Sequence, residues 1–292
     1  MQLINEGLIT TQQVEPLCRN GIHLYTLRTD LIHPVVSGNK WFKLKLYLQE
    51  AQMQRKKKIV TFGGAFSNHI VATAYACKQM GMPSIGIIRG EQPATYSHTL
   101  KDATAYGMEL FFISRTDYKK GTIPNELKNP DYYFIPEGGY GELGAAGIAT
   151  LQYNKKKFDT VCCTIGTGTM MAGIINAKGT DTRVIGISVL KNHLELKQEV
   201  ANLIFDKNEV INIIHDYHCN GYAKYNKELI QFMNIFYKQT GIPTDFVYSA
   251  KLFFALNDLI DKKFFTPGSN ILAIHCGGLQ GNNSLQKGTL IF

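Results

Sequence analysis

Short runs of apolar residues alternate with longer stretches of helical periodicity along almost the whole chain. Nine segments are predicted as strands, at residues 22–27, 59–62, 84–88, 109–113, 133–135, 160–165, 183–188, 210–214 and 271–275. Eight segments between them are predicted as helices, at residues 42–54, 68–80, 98–106, 143–153, 170–177, 193–205, 227–239 and 252–262. Several of the strands are unbroken apolar runs, which is typical of parallel strands covered on both faces. The alternation predicts an open α/β fold with a mostly parallel sheet.

Two turn-rich places interrupt this alternation, at residues 41–50 and 136–140. They indicate a smaller α/β unit that is inserted into a larger one. The predicted division is a large domain of residues 1–47 and 151–292, and a small α/β domain of residues 48–150. No linker rich in Pro or Ser marks either boundary.

Composition argues against several classes of protein. The 292 residues are 45% hydrophobic and 18% charged, which is ordinary for a globular protein. The longest uncharged stretches, residues 59–77 and 161–177, contain glycine and polar breaks, so no membrane-spanning helix is predicted. The net charge of +8 is not arranged in basic stripes interleaved with aromatic residues, which argues against nucleic-acid binding. An excess of basic residues also suits an enzyme whose ligands are anions.

The six cysteines indicate a reducing compartment. None of them forms a CxxC pair, and Cys162 and Cys163 are adjacent within an apolar run. This pattern suits buried thiols better than disulfides or a metal site, and no metal is expected. The first residues lack the basic start and apolar core of a signal peptide. The expected location is therefore the cytoplasm.

A glycine-rich turn follows the predicted strand at residues 160–165 and precedes a helix. Gly166 and Gly168 allow backbone amides to surround an oxyanion, and Thr167 and Thr169 add hydroxyl donors. Neither GxxxxGK[ST] nor GxGxxG is complete, which argues against a nucleoside triphosphate and weakens the case for a dinucleotide. The segment favours a single monophosphate, and a tight turn with capping threonines is the structural alternative.

A second strand, turn and helix carries polar residues where the helix starts. Ser67 and Asn68 are placed to face a ligand carboxylate or an aromatic oxygen, although either is also a common helix cap. His69 falls on the first helical turn, where a structural role is expected rather than a catalytic one.

A third segment, residues 37–47, contains three lysines in a turn and the helix that follows it. Lys43 and Lys45 are typical of a solvated helix face. Lys40 differs because it follows Gly-Asn and precedes the only tryptophan, so apolar surface around its stem would lower the pKa of its amine toward the range needed for imine formation. A lysine that forms a Schiff base, together with a glycine-rich monophosphate site, is what pyridoxal phosphate requires from its host protein.

Together these motifs resemble those of the fold-type II pyridoxal-phosphate enzymes, and within them the 1-aminocyclopropane-1-carboxylate deaminase and D-cysteine desulfhydrase family. The resemblance extends from about residue 24 to residue 278 and lies in the order of the motifs. It implies two open, mostly parallel, twisted sheets with helices on both faces, as in the tryptophan synthase β subunit, with the cofactor in the large domain. It also implies a homodimer.

The resemblance implies roles for individual residues. Lys40 would form the Schiff base with the cofactor. Asn68 would contact the phenolic oxygen of the cofactor, and Ser67 would bind the substrate carboxylate or move a proton. Two active-site tyrosines of the family look like Tyr222 and Tyr248. The other residues implied to contact the cofactor are Gly166, Thr167, Gly168, Thr169, Met170, Ser249 and Gly277.

One departure from the family bears on the reaction. After Tyr248 the deaminase pattern has a carboxylate that would pair with the pyridine nitrogen, whereas this chain has Ser249. A hydroxyl cannot hold a pyridinium by charge, which disfavours cyclopropane ring opening and favours β-elimination. The expected function is a pyridoxal-phosphate lyase of a small amino acid, with D-cysteine as first candidate, giving pyruvate, ammonia and sulfide. The alternatives are a 1-aminocyclopropane-1-carboxylate deaminase, giving 2-oxobutyrate and ammonia, and a non-catalytic α/β protein that binds another phosphate ligand.

Overall fold

The computed structural model describes residues 4–292, which form two β-sheets flanked by helices. The strands are β1 (Thr11–Gln13), β2 (His23–Leu27), β3 (Lys58–Gly63), β4 (Ser84–Arg89), β5 (Met108–Ile113), β6 (Tyr132–Ile135), β7 (Thr160–Ile165), β8 (Arg183–Ser188), β9 (Asn212–Ile214) and β10 (Asn270–Ile274). The α-helices are α1 (Asn39–Met53), α2 (Asn68–Gln79), α3 (His98–Ala105), α4 (Arg115–Lys119), α5 (Glu142–Ala149), α6 (Thr169–Ala177), α7 (Leu196–Leu203), α8 (Lys227–Thr240) and α9 (Ser249–Asp261). The predicted α/β class with two mostly parallel sheets is confirmed.

The sheets differ in size but share a parallel arrangement. The larger sheet has the order β1-β2-β10-β7-β8-β9, and the smaller sheet has the order β5-β4-β3-β6. β1 is antiparallel to β2, and every other paired neighbour is parallel. All six residues of β7 are buried, as expected for a strand covered on both faces. Because the strands are parallel, the loops that follow β2, β7 and β10 leave from the same edge of the larger sheet.

Close packing of α1, α5 and α6 fixes the start of α1 beside the start of α6. A Cβ at Gly147 in α5 would overlap the carbonyl oxygen of Phe42 in α1. A Cβ at Gly173 in α6 would lie 2.5 Å from the carbonyl oxygen of Ala145 in α5. Glycine is therefore needed at both crossings, and the two contacts bring residues of α1 close to the turn that precedes α6.

Several details differ from the predicted elements, including the starts of α7 and α9, which lie three residues after and three residues before their predicted positions. Helix α1 begins at Asn39, three residues before the predicted start, because Gly38 forms its N-cap. Helix α5 ends at Ala149, four residues before the predicted end, where the Thr150 hydroxyl donates to the Gly147 carbonyl. The polar strand β1 and the short helix α4 were not predicted, since neither has an apolar periodicity. Helix α1 also runs across the predicted domain boundary between residues 47 and 48, and the domain division stays a prediction.

Two further sequence expectations concern the environment of the chain. Within residues 4–292, no helix combines the length and the apolar character needed to cross a membrane. The six cysteines are free thiols. Cys162 and Cys163 are fully buried, as their apolar run indicated.

Candidate active site

The loops after the central strands of both sheets meet in one region. Leu27 and Ile274 are paired at the ends of β2 and β10, so the loops that follow these strands start side by side. Asn68, which follows β3 of the smaller sheet, donates from Nδ2 to the Gly278 carbonyl after β10, at 3.4 Å. In open α/β sheets, ligands bind beyond the carboxyl ends of the strands. A ligand site is therefore expected at this junction of the two sheets.

Lys40 lies in the first turn of α1, not in a turn before the helix as predicted. The helix can start here because Gly38 adopts a φ of +58°, and a Cβ at Gly38 would overlap the Cys276 carbonyl oxygen. The Lys40 Nζ donates to Asn39 Oδ1 at 3.1 Å and lies 5.4 Å from the centre of the Tyr248 ring. Burial lowers the pKa of Lys40, which favours the neutral amine needed for imine formation.

Lys43 is buried, and the prediction that it lies on a solvated helix face is wrong. It follows Lys40 by three residues, so both amines extend from the same face of α1. The Lys43 Nζ lies 3.5 Å from Thr167 Oγ1. Burial, followed by the charge of Lys40, lowers the pKa of Lys43 to about 7. Lys45 is also largely covered, since its side chain is 11% exposed and its amine lies 3.1 Å from Glu6.

The turn between β7 and α6 has the form predicted for an oxyanion site. Gly168 is the N-cap of α6 with a φ of +79°, and as glycine it offers no side-chain acceptor to the amides of the first turn. The hydroxyls of Thr167 and Thr169 are 3.1 Å apart. Met170 is buried in the first turn of α6. The uncapped amides, the two hydroxyls and the Lys43 amine form a set of donors that suits a phosphate. The alternative of capping threonines does not describe this turn.

Ser67 and Asn68 stand at the start of α2, as predicted. Ser67 is the N-cap, and its Oγ accepts from the Ile70 amide at 3.4 Å, which leaves its hydrogen free to donate. Asn68 is buried against the Gly277–Gly278 turn, and its Oδ1 has no partner among the described residues. Buried polar atoms are nearly always hydrogen-bonded, so an unpartnered Oδ1 indicates that a further group completes this environment.

His69 is held as a neutral side chain. The Thr61 hydroxyl donates to the Ile135 carbonyl at 2.9 Å, so it accepts from His69 Nε2 at 2.8 Å. This leaves Nδ1 as an acceptor, and it has no partner among the described residues. Burial, followed by the charges of the nearby Lys40 and Lys43, lowers the pKa of His69 to about 3. His69 is therefore neutral at physiological pH.

The two predicted tyrosines meet beside Lys40. The Tyr248 and Tyr222 hydroxyls are 3.1 Å apart, and the ring centres are 6.0 Å apart at an angle of 70°. Tyr248 is the N-cap of α9, whereas Tyr222 lies in the irregular segment between β9 and α8 and is 42% exposed. Burial raises the pKa of both phenols, so each hydroxyl keeps its proton at neutral pH. The Tyr248 ring also borders the turn between β7 and α6, since a Cβ at Gly166 would lie 3.8 Å from the Tyr248 ring.

Asp245 is a buried carboxylate of the site that the sequence interpretation missed. Its Oδ1 accepts from the Ser249 hydroxyl at 2.6 Å and from the Ser249 amide at 2.8 Å. Its Oδ2 accepts from the Val247 and Tyr248 amides at 3.0 and 2.8 Å. Burial raises the pKa of Asp245, and the hydrogen bonds from Ser249 and Tyr248 act in the opposite direction. A sequence signal existed, because an Asp just before a helix commonly caps its first amides.

The residues at this junction fit pyridoxal phosphate. The turn before α6 and the Lys43 amine provide donors for a phosphate, and the Lys40 amine, with its lowered pKa, stands ready for an aldehyde. The buried Asn68 Oδ1 has no partner among the described residues, so it is free to accept from a bound group. Ser249 borders the same region because its hydroxyl donates to Asp245. Gly277 borders it because a Cβ at Gly277 would overlap Ser37 Oγ.

Comparisons with known proteins agree with this geometry. The family model described as pyridoxal-phosphate dependent enzyme matches residues 13–277. A Thermotoga maritima protein provisionally named 1-aminocyclopropane-1-carboxylate deaminase is 31% identical, over 89% of this chain and 90% of that protein. An Arabidopsis thaliana protein, named as a mitochondrial bifunctional D-cysteine desulfhydrase and 1-aminocyclopropane-1-carboxylate deaminase, is 29% identical over 90% of this chain and 74% of its own length. The crystal structure of a homologue of 1-aminocyclopropane-1-carboxylate deaminase superimposes with a TM-score of 0.78 and 29% identity, covering 94% of this chain and 90% of that one.

Proposed function

Because the chain belongs to the family of pyridoxal-phosphate dependent enzymes, as its motifs indicated, we propose that it is a lyase that eliminates the β-substituent of a small amino acid. D-Cysteine is the first candidate substrate, and the products are pyruvate, ammonia and sulfide. The proposal deepens what the family match establishes, namely that the protein is an enzyme and that pyridoxal phosphate is its cofactor.

The chain's own residues divide into those that hold the cofactor and those that act on the substrate. When bound, pyridoxal phosphate supplies an electron-accepting ring conjugated to the substrate α-carbon. Lys40 would hold the aldehyde carbon, and Lys43 with the amides of the α6 turn would hold the phosphate. The remaining contacts to the cofactor in this proposal are Gly166, Thr167, Gly168, Thr169, Met170, Asn68, Ser249 and Gly277.

Three hydroxyls and one amine act on the substrate in this proposal. The Lys40 amine would take the proton from the α-carbon of the substrate, since burial lowers its pKa. The Ser67 hydroxyl keeps a free hydrogen and donates it to the substrate carboxylate. Tyr222 and Tyr248 hold their protons at neutral pH and would donate to the departing sulfur.

The observation that carries the proposal is the position of the Lys40 amine, 5.4 Å from the ring of a tyrosine whose hydroxyl is bonded to a second tyrosine. A base beside a pair of protonated phenols suits the removal of one proton and the protonation of a leaving group. Such a pair suits the elimination of a thiol, because the leaving sulfur accumulates negative charge.

The test compares wild type with Lys40→Ala after incubation with pyridoxal phosphate. Wild type should show a visible absorption band, release pyruvate from D-cysteine and carry the cofactor on Lys40 after borohydride reduction. Lys40→Ala should show none of the three, and L-cysteine serves as the stereochemical control. An unchanged band in Lys40→Ala refutes the lysine assignment, and a wild-type protein that stays colourless favours the non-catalytic phosphate-binding alternative.

One observation favours a second candidate, 1-aminocyclopropane-1-carboxylate deaminase. The Asp245 carboxylate lies 2.6 Å from the Ser249 hydroxyl, so negative charge is present near the position where the deaminases have their own carboxylate. The Thermotoga maritima relative carries the deaminase name. Release of 2-oxobutyrate from 1-aminocyclopropane-1-carboxylate, without pyruvate from D-cysteine, would replace the first candidate by the second.

We also propose that the enzyme is a cytoplasmic homodimer with the domain division 1–47 plus 151–292 and 48–150. The cysteine pattern and the family resemblance support these three points. Light scattering of the purified protein measures the dimer, and hydrogen exchange measures whether residues 48–150 open as a unit separate from the rest of the chain.

A further inference from the structure

Lys251 is a completely buried lysine whose amine contacts two backbone carbonyls. Its side chain is 0% exposed, and its Nζ donates to the carbonyl oxygens of His218 and Gly221, at 2.9 Å each. No carboxylate lies within ion-pair distance of this amine in residues 4–292. Burial lowers the pKa of Lys251 to about 8. Lysines are almost never fully buried without a charged partner. The buried position of Lys251 therefore serves to hold its contacts with the two backbone carbonyls.

Both carbonyls belong to the loop that carries Tyr222. Three non-glycine residues of this loop have a positive φ: Cys219, Asn220 and Ala223. Side-chain-bearing residues seldom adopt that conformation, and a run of them persists only where surrounding contacts hold it. The Lys251 amine is such a contact, since it reaches the loop from α9 and binds one carbonyl on each side of the Cys219–Asn220 pair.

Lys251 also belongs to the helix that starts at Tyr248. It is the third residue of α9, and Tyr248 is the N-cap of the same helix. The Tyr248 hydroxyl meets the Tyr222 hydroxyl at 3.1 Å. The Lys251 side chain therefore joins the start of α9, which positions Tyr248, to the loop that positions Tyr222.

We propose that Lys251 is a positioning residue that keeps the Tyr222 hydroxyl in contact with the Tyr248 hydroxyl by holding the 218–223 loop against the start of α9. The catalytic part of this inference rests on the proposed function, because it assumes that the two phenols serve the reaction. The structural part concerns the loop alone.

Hydrogen exchange followed by mass spectrometry tests the structural part without any turnover. In Lys251→Met, which keeps an apolar stem in the buried channel, amides of residues 218–223 should exchange about tenfold faster or more than in wild type. The control is Lys263→Met, because Lys263 lies just beyond the other end of α9 and is exposed. Lys263→Met should leave the exchange of this loop unchanged. If Lys251→Met does not fold, Lys251→Gln takes its place with the same expected result.

A double-mutant cycle with Tyr222→Phe tests the catalytic part. If Lys251 acts through Tyr222, Lys251→Met should lower kcat/KM about tenfold or more in wild type but less than about twofold in the Tyr222→Phe background. A purely structural lysine would lower kcat/KM by the same factor in both backgrounds. Binding of pyridoxal phosphate, measured by equilibrium dialysis, should change by less than about twofold.

The outcomes separate this inference from the proposed function. Unchanged exchange of residues 218–223 in Lys251→Met overturns the inference, whatever the activity. Equal losses of kcat/KM in the two backgrounds also overturn it. If no lyase activity is found in wild type but the exchange of the loop rises in Lys251→Met, the proposed function fails while the holding of the loop by Lys251 stands.

Discussion

Replacing Lys43 by methionine is expected to weaken the binding of pyridoxal phosphate in a pH-dependent manner. Methionine keeps the buried, unbranched stem but removes the charged donor that lies 3.5 Å from Thr167 Oγ1. A hydrogen bond from a charged group contributes about 1.5–3 kcal/mol. When the amine is already protonated, Lys43→Met should therefore raise the dissociation constant of the cofactor about 10- to 150-fold.

The pKa of Lys43, lowered to about 7, sets the pH window of this effect. At pH 6 the amine is charged before the phosphate arrives, so the full loss is expected. At pH 9, two units above that pKa, protonating the amine costs about 2.7 kcal/mol, which cancels most of the gain. The ratio of the dissociation constants, variant over wild type, should therefore fall from about 10–150 at pH 6 to within a few-fold of unity at pH 9.

Equilibrium dialysis of the cofactor-free proteins against pyridoxal phosphate, from pH 6 to pH 9, measures this ratio. Lys40 and the cofactor phosphate titrate with both proteins, so their effects on binding largely cancel in the ratio of the dissociation constants. Lys45→Met is the matched control, because Lys45 is on the same helix but pairs with Glu6 instead of the phosphate turn. A ratio near unity at pH 6, or one that stays constant across the range, would show that Lys43 does not bind the phosphate.

Two other predictions concern the cofactor-free protein. Gly38→Ala should lower the melting temperature markedly and abolish cofactor binding, because a Cβ at φ +58° would overlap the Cys276 carbonyl and displace the start of α1. A melting temperature within about 2 °C of wild type would contradict this prediction. Burial lowers the pKa of His69 from 6.5 to about 3, so the unfolded chain binds more protons than the folded chain between these pH values. The His69 contribution to stability is therefore present above pH 6.5 and is lost as the pH falls toward 3. Between pH 7 and pH 4, the free energy of unfolding in urea should fall by about 3 kcal/mol more in wild type than in His69→Gln. Equal losses in the two proteins would refute the assignment.

The turn between β7 and α6 was accessible from sequence because its signal is local. A buried strand, two glycines separated by one residue and a helix follow one another without interruption, and the structure keeps that order from Thr160 to Ala177. The start of α2 at Asn68 was likewise predicted, since its capping Ser67 directly precedes it. In both places the local sequence and the local structure carry the same information.

Lys43 shows how a small error in a helix boundary hides a site residue. With a helix predicted from residue 42, Lys40 lies outside it, and its spacing to Lys43 carries no meaning. The helix begins at Asn39, so the two lysines are one turn apart on one face. That early start depends on the contact between Gly38 and the Cys276 carbonyl, which is 238 residues away along the chain and leaves no pattern near residue 40.

Asp245 changes the chemical argument that Ser249 supported from the sequence. The Ser249 hydroxyl donates its hydrogen to Asp245 Oδ1 and accepts from the Asp245 amide at 2.8 Å, so one lone pair is left for any other partner. A lone pair can accept from a protonated ring nitrogen but cannot donate to an unprotonated one. If Ser249 faces the ring nitrogen of the cofactor, the Asp245 carboxylate bound to its hydroxyl would favour the protonated nitrogen, which is the opposite of what an isolated hydroxyl would do. Residue 249 alone no longer disfavours ring opening, and the distinction between the two lyase reactions depends on whether pyruvate or 2-oxobutyrate is released.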